Sequence, residues 1–122
     1  MTEAALVKEP DFKPLVSTIF EKTKAGKLNW QPSARDDTFI VSVGGETTLK
    51  LSMEAFETVD AYGQPDTGHA PALCLLDSKG RKLWEMSSNE VGGLWSLYRL
   101  AQRVANKVDD KVADLMEVLQ KL

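Results

Sequence analysis

The strongest constraint on this chain is an apolar stripe near its C-terminal end. Val91, Leu94, Tyr98, Ala101, Ala105, Val108, Val112, Leu115, Leu119 and Leu122 follow one another in alternating steps of three and four. That spacing returns to one side of a helix every two turns, so it predicts a long helix with a heptad-like seam. Ser87 and Glu90 stand three apart at its start, as in a capping box, although Gly92-Gly93 delays regular helix there.

The stripe changes width along its length. Trp95, Leu97, Leu100 and Val104 widen it in the first half, whereas beyond Lys107 only the seam, Met116 and Val118 remain apolar. A helix of about thirty residues is roughly 45 Å long, and five strands at about 4.8 Å spacing span only roughly 20 to 25 Å. A sheet of that size cannot shelter the whole helix. The distal seam, Val108, Val112, Leu115, Leu119 and Leu122, is therefore expected to pack on the first helix, on a second copy of the chain or on another protein.

The rest of the chain reads as one helix followed by an antiparallel meander. Phe12, Leu15, Val16, Ile19 and Phe20 have the spacing of a helix with one buried face. Asp11 is its N-cap, Pro14 lies in its first turn and Gly26 stops it. Beyond Gly26 the period becomes alternating. KLNWQ (27–31) is a short strand, and TFIVSV and ETTLKLSM flank a two-residue Gly44-Gly45 turn. ALCLLD and RKLWEM flank Asp77-Ser78-Lys79-Gly80, a second turn. The expected class is α+β: an N-terminal helix, a four- or five-stranded antiparallel meander, and a long C-terminal helix packed on the sheet. Residues 1–10 carry no period and read as a flexible lead-in. Residues 54–71 hold Glu54, Glu57, Asp60 and Asp66 with no Lys or Arg, and their glycines and prolines predict a long, mobile acidic loop.

With 122 residues the chain suits one domain, 1–122, with a single core. No apolar run approaches the roughly 18 residues that span a bilayer. The opening MTEAALVKEPDFK has neither a basic nor an apolar leader segment. A single cysteine, Cys74, makes no internal disulfide. These features predict a cytoplasmic protein with no membrane contact. The net charge of −3 disfavours a strong, sequence-independent grip on phosphate backbones.

Catalytic chemistry fails on inventory. The only histidine, His69, would have to meet Cys74 or a serine to form a nucleophile–base pair, and the expected mobile loop is a poor place for it. One His and one Cys do not make a closed zinc site, and no calcium-loop spacing occurs. Val91-Gly92-Gly93-Leu94 precedes a helix but lacks the Lys-Ser/Thr of a phosphate loop. Asp36-Asp37 and Asp109-Asp110 read as turn and helix-surface acids. No catalytic, cofactor-binding or metal-binding residue is predicted. A basic line of Arg99, Arg103, Lys107 and Lys111 recurs every four residues. With an exposed sheet face, such a line is able to hold a single nucleic-acid strand, while neighbouring Asp110 and Asp114 favour an ordinary solvated helix face.

The run Ile19-Phe20-Glu21-Lys22-Thr23-Lys24-Ala25-Gly26-Lys27-Leu28-Asn29-Trp30, then Asp37-Thr38-Phe39-Ile40, Leu97-Tyr98, Ala101 and Asn106-Lys107-Val108-Asp109, resembles a family of small, uncharacterised bacterial proteins. The resemblance covers most of the chain after residue 11. It implies the same order of helix, sheet and long helix, and a bacterial cytoplasmic or phage-related setting, and it carries over no site residues. The function expected from all of this is a non-enzymatic protein-interaction module, homodimeric through its helices. The alternative is a single-stranded nucleic-acid-binding domain using the sheet face and the Arg99, Arg103, Lys107, Lys111 line.

Overall fold

Asp11 opens the first helix as the spacing predicts, its carboxylate accepting from the Lys13 N–H at 3.1 Å. In the computed structural model, which describes residues 11–122, helix α1 runs Phe12–Lys24. It ends in a Schellman motif: Gly26 takes φ +77°, its N–H donates to the Thr23 carbonyl, and the Lys27 N–H donates to that of Lys22. The expected flexible lead-in, residues 1–10, lies outside the described residues.

Five strands follow: β1 (Gln31–Pro32), β2 (Thr38–Val43), β3 (Thr47–Val59), β4 (Pro65–Leu76) and β5 (Lys82–Ser87). They form one antiparallel meander in sequence order. The strand expected at 27–31 shrinks to Gln31–Pro32, because Trp30 turns into the core and is fully buried instead of pairing. Its indole N–H donates to the Thr23 hydroxyl at 2.9 Å, and that hydroxyl donates to the Ile19 carbonyl at 2.7 Å. The first hairpin turn has three residues, not two. Val43 pairs with Thr47, and Gly44 and Gly45 both adopt positive φ. The second turn is organised by Asp77, whose side chain accepts from the backbone N–H of Lys79 and Arg81, each at 2.9 Å.

The acidic segment 54–71 is not a loop. β3 and β4 continue through it in register from Thr48 opposite Leu76 to Val59 opposite Pro65, leaving only Asp60–Gln64 as a turn. Asp60 holds that turn by accepting from the N–H groups of Tyr62 and Gln64. Phe56 lies opposite Gly68, and its ring occupies the space a side chain at that glycine would fill. β2 pairs only as far as Ser52 and β5 only as far as Ala72. Residues 54–59 and 65–70 therefore form a two-stranded arm beyond the sheet, carrying Glu54, Glu57 and Asp66, with Asp60 in the turn at its tip.

One sheet face carries the helices. Phe39, Val41, Leu49, Leu51, Leu73 and Met86 meet Val16, Ile19, Leu94, Leu97, Tyr98 and Ala101 in a single core with Trp30. Helix α2 (Leu94–Ala105) lies across the strands, and α1 packs alongside α2. The Tyr98 hydroxyl ties α2 to the sheet by donating to the Asp37 carbonyl at 2.7 Å. Alternation places Thr38, Ser52, Ala72 and Cys74 on the opposite face, all of them buried.

The single long helix is also corrected. Ser87 ends β5, and the Ser87–Glu90 pair closes a turn, with the Ser87 hydroxyl and the Glu90 carboxylate 3.2 Å apart. Regular helix begins only after Gly93, which needs φ +90°. Helix α2 then stops at Ala105, and α3 (Val108–Gln120) starts after Lys107 in a left-handed conformation, φ 53° and ψ 43°. Up to Ala105 the stripe is buried on the sheet and α1; beyond it nothing among the described residues holds the chain to α2's direction.

Candidate docking face on the last helix

Asp109 and Asp110 occupy the first turn of α3, where negative charge complements the exposed N–H groups of a helix start. Asp109 also reaches back across the break. It receives two hydrogen bonds from the Arg103 guanidinium, Nε at 2.7 Å and Nη2 at 3.1 Å. The Arg103 hydrogen bond holds the Asp109 carboxyl below its ordinary pKa, and the same bond raises that of Arg103. Lys107 and Asp110 line an open cleft here with Lys24 and Asn29.

From this junction α3 leads away from the core, and none of its residues is buried. Among the described residues its substantial contact is with α2 alone. Val108, Val112, Leu115, Leu119 and Leu122 all reach solvent, Leu115 at 56% and Leu119 at 50% exposure. Met116 and Val118 flank them and are equally open. At 100° per residue the six of these side chains that lie within the helix cover an arc of roughly 160°. Asp109, Asp110, Asp114, Glu117 and Lys121 fall outside that arc, and Lys111 falls inside it near the Val118 edge. The arc is broader than the narrow seam of a two-stranded coiled coil and matches a helix that beds into a groove or onto a helix pair. Packing of the seam on the first helix, one of the three expected outcomes, does not occur within the protomer.

The basic line has a different geometry from the expected one. Arg99 and Arg103 belong to α2, Lys107 is the left-handed residue of the break and Lys111 belongs to α3. The line is bent at its middle, and Arg103 is occupied by Asp109. On the sheet face away from the helices the charged groups are of both signs, Lys50 sharing that face with Glu54 and Glu85.

His69 and Cys74 do not meet. They stand five positions apart on β4, so their side chains leave opposite faces. His69 is exposed and Cys74 is buried. The Cys74 thiol donates to Glu85 at 3.2 Å, and burial together with this carboxylate raises its pKa to about 11. Among the described residues no group of three or more His, Cys, Asp or Glu is placed to hold a metal ion, and no helix is long and apolar enough to cross a membrane.

Comparison with protein-family models, with curated proteins and with solved structures returned no match for this chain.

Proposed function

We propose that this protein is a non-enzymatic interaction module that docks a second copy of itself through the apolar face of α3. The observation that carries the proposal is a helix of thirteen residues with six apolar side chains in water on one side, continued by Leu122 just past its end. Charge supports the choice of a second copy as occupant. Helix α3 bears Asp109, Asp110, Asp114 and Glu117 against Lys111 and Lys121, and is net acidic. The outer side of α1 and its turn bears exposed Lys13, Lys22, Lys24 and Lys27 against Glu21, and is net basic. Electrostatic complementarity of this kind sets orientation and partner choice.

Size supports a reciprocal arrangement. A helix of this length offers a strip about 20 Å long, and one such contact falls at the low end of stable interfaces, which bury roughly 800 Å² per partner. In a two-fold dimer each α3 lies on the helix layer of the other copy, so the contact is made twice.

Sedimentation velocity between about 1 and 100 µM tests this reading, with the apolar contact worth roughly 1 kcal/mol for each half-buried leucine. The expected result is a dimer that Leu115→Asp and Leu119→Asp each convert to monomer, and that weakens as salt is raised. A wild-type chain that stays monomeric throughout the range overturns it.

A further inference from the structure

Lys107 is the one non-glycine residue with positive φ among the described residues, and lysine is a poor occupant of the left-handed region. Its neighbour Asn106, a residue type that tolerates this conformation better, keeps φ −89°. No glycine or proline lies between Leu94 and Leu122 to impose a break. The seam crosses the break without changing phase, from Ala101 and Ala105 to Val108 and Val112. Local sequence thus fits an unbroken helix as well as it fits two.

The Arg103–Asp109 pair distinguishes the two forms. Six positions apart on a continuous helix, these side chains leave the axis roughly 120° apart and about 9 Å apart along it, off the three- and four-residue spacings at which side chains meet. Their bidentate contact exists only when the helix is broken. We infer that the α2–α3 junction is a two-state latch: the broken form closed by Arg103 and Asp109 is the undocked state, and docking on a second copy straightens α2 and α3 into one helix. This rests on the docking reading above. Straightening brings the α3 seam into phase with the residues that α2 buries and extends α3 as an arm past the sheet, where it reaches the basic side of α1 in the other copy. It also relieves the strain at Lys107 and frees Arg103.

Spin labels at Gln102→Cys and Glu117→Cys, in a Cys74→Ala background of the full chain, read the junction directly. In a straight helix fifteen positions span about 22 Å, and the broken helix gives a shorter separation. Pulsed electron resonance on dilute protein should show the shorter distance, and the distance near 22 Å should grow as dimer forms. Asp109→Ala should raise the long-distance population several-fold at fixed concentration and strengthen dimerisation, whereas Lys107→Gly should lower both. A dimer whose label distance stays short overturns the latch and leaves docking intact. A chain that never dimerises overturns docking, and the latch is then decided by whether Asp109→Ala lengthens the distance in the monomer; no change there overturns it as well.

Discussion

Replacing Thr23 by Val tests how the sequence after α1 is held in the core. Val keeps the shape of Thr and removes the hydroxyl that accepts from the Trp30 indole at 2.9 Å. Trp30 is fully buried, so water cannot reach the freed N–H to replace the bond. Stranding a buried donor costs about 1 to 3 kcal/mol. With 122 residues the unfolding entropy is roughly 0.26 kcal/mol per kelvin, so Tm should fall by about 4 to 12 °C. Thr23→Ser retains the acceptor and should lose less. A double-mutant cycle isolates the bond, because Trp30→Phe has no N–H to strand; in that background Thr23→Val should cost less than about 0.5 kcal/mol. Circular dichroism melts and guanidinium titrations of the four proteins supply the numbers. A Thr23→Val penalty that is equal in both backgrounds, or below about 0.5 kcal/mol in the native background, refutes the reasoning.

Other consequences follow from single contacts. Gly68→Ala places a methyl where the Phe56 ring sits, but that ring is 41% exposed and free to swing out; Tm should drop by less than about 4 °C, while ring-current shifts on the arm disappear in NMR spectra. A thiol with a pKa of about 11 is almost wholly protonated at pH 8, so Cys74 should react with iodoacetamide at least about 100-fold more slowly than a free cysteine until the protein is unfolded. Equal rates in native and denatured protein would contradict its burial. Leu115→Asp should leave the Tm of dilute, monomeric protein within about 2 °C, since Leu115 already faces water within the protomer. A large loss would mean that α3 folds back on its own body.

What the sequence made legible was whatever local chemistry decides. Asp11, Pro14 and Gly26 bound α1 where the spacing puts it, and the alternation around Gly44-Gly45 and Asp77–Gly80 gives two hairpins and the α+β class. Local signals mislead where a pair across space outweighs them. Pro65, Gly68 and Pro71 look like loop punctuation, but Pro65 begins a strand and Gly68 makes room for Phe56 from the partner strand. Trp30 belongs to an alternating run, yet its burial under α1 ends the strand.

The break after Ala105 is the same kind of case. Heptad spacing carries no information on how far the supporting sheet extends, so it ran through a point where support stops. One signal was present: Asp109-Asp110 read as surface acids, but two adjacent carboxylates four and five positions beyond Ala105 also suit the first turn of a new helix. The docking residues themselves, Val108 to Leu122, are legible as an apolar stripe, and the structure adds that none of the described residues covers it.

Hydrogen exchange of the α3 amides, followed by mass spectrometry across a dilution series, tests the central claim most directly. In an isolated protomer an amphipathic helix with no buried residue opens easily and exchanges fast. Docking on a second copy predicts that protection of residues 108–120 rises with protein concentration, together with that of α1, and falls away in Leu119→Asp. Protection of α3 that is the same at 1 and 100 µM would contradict it.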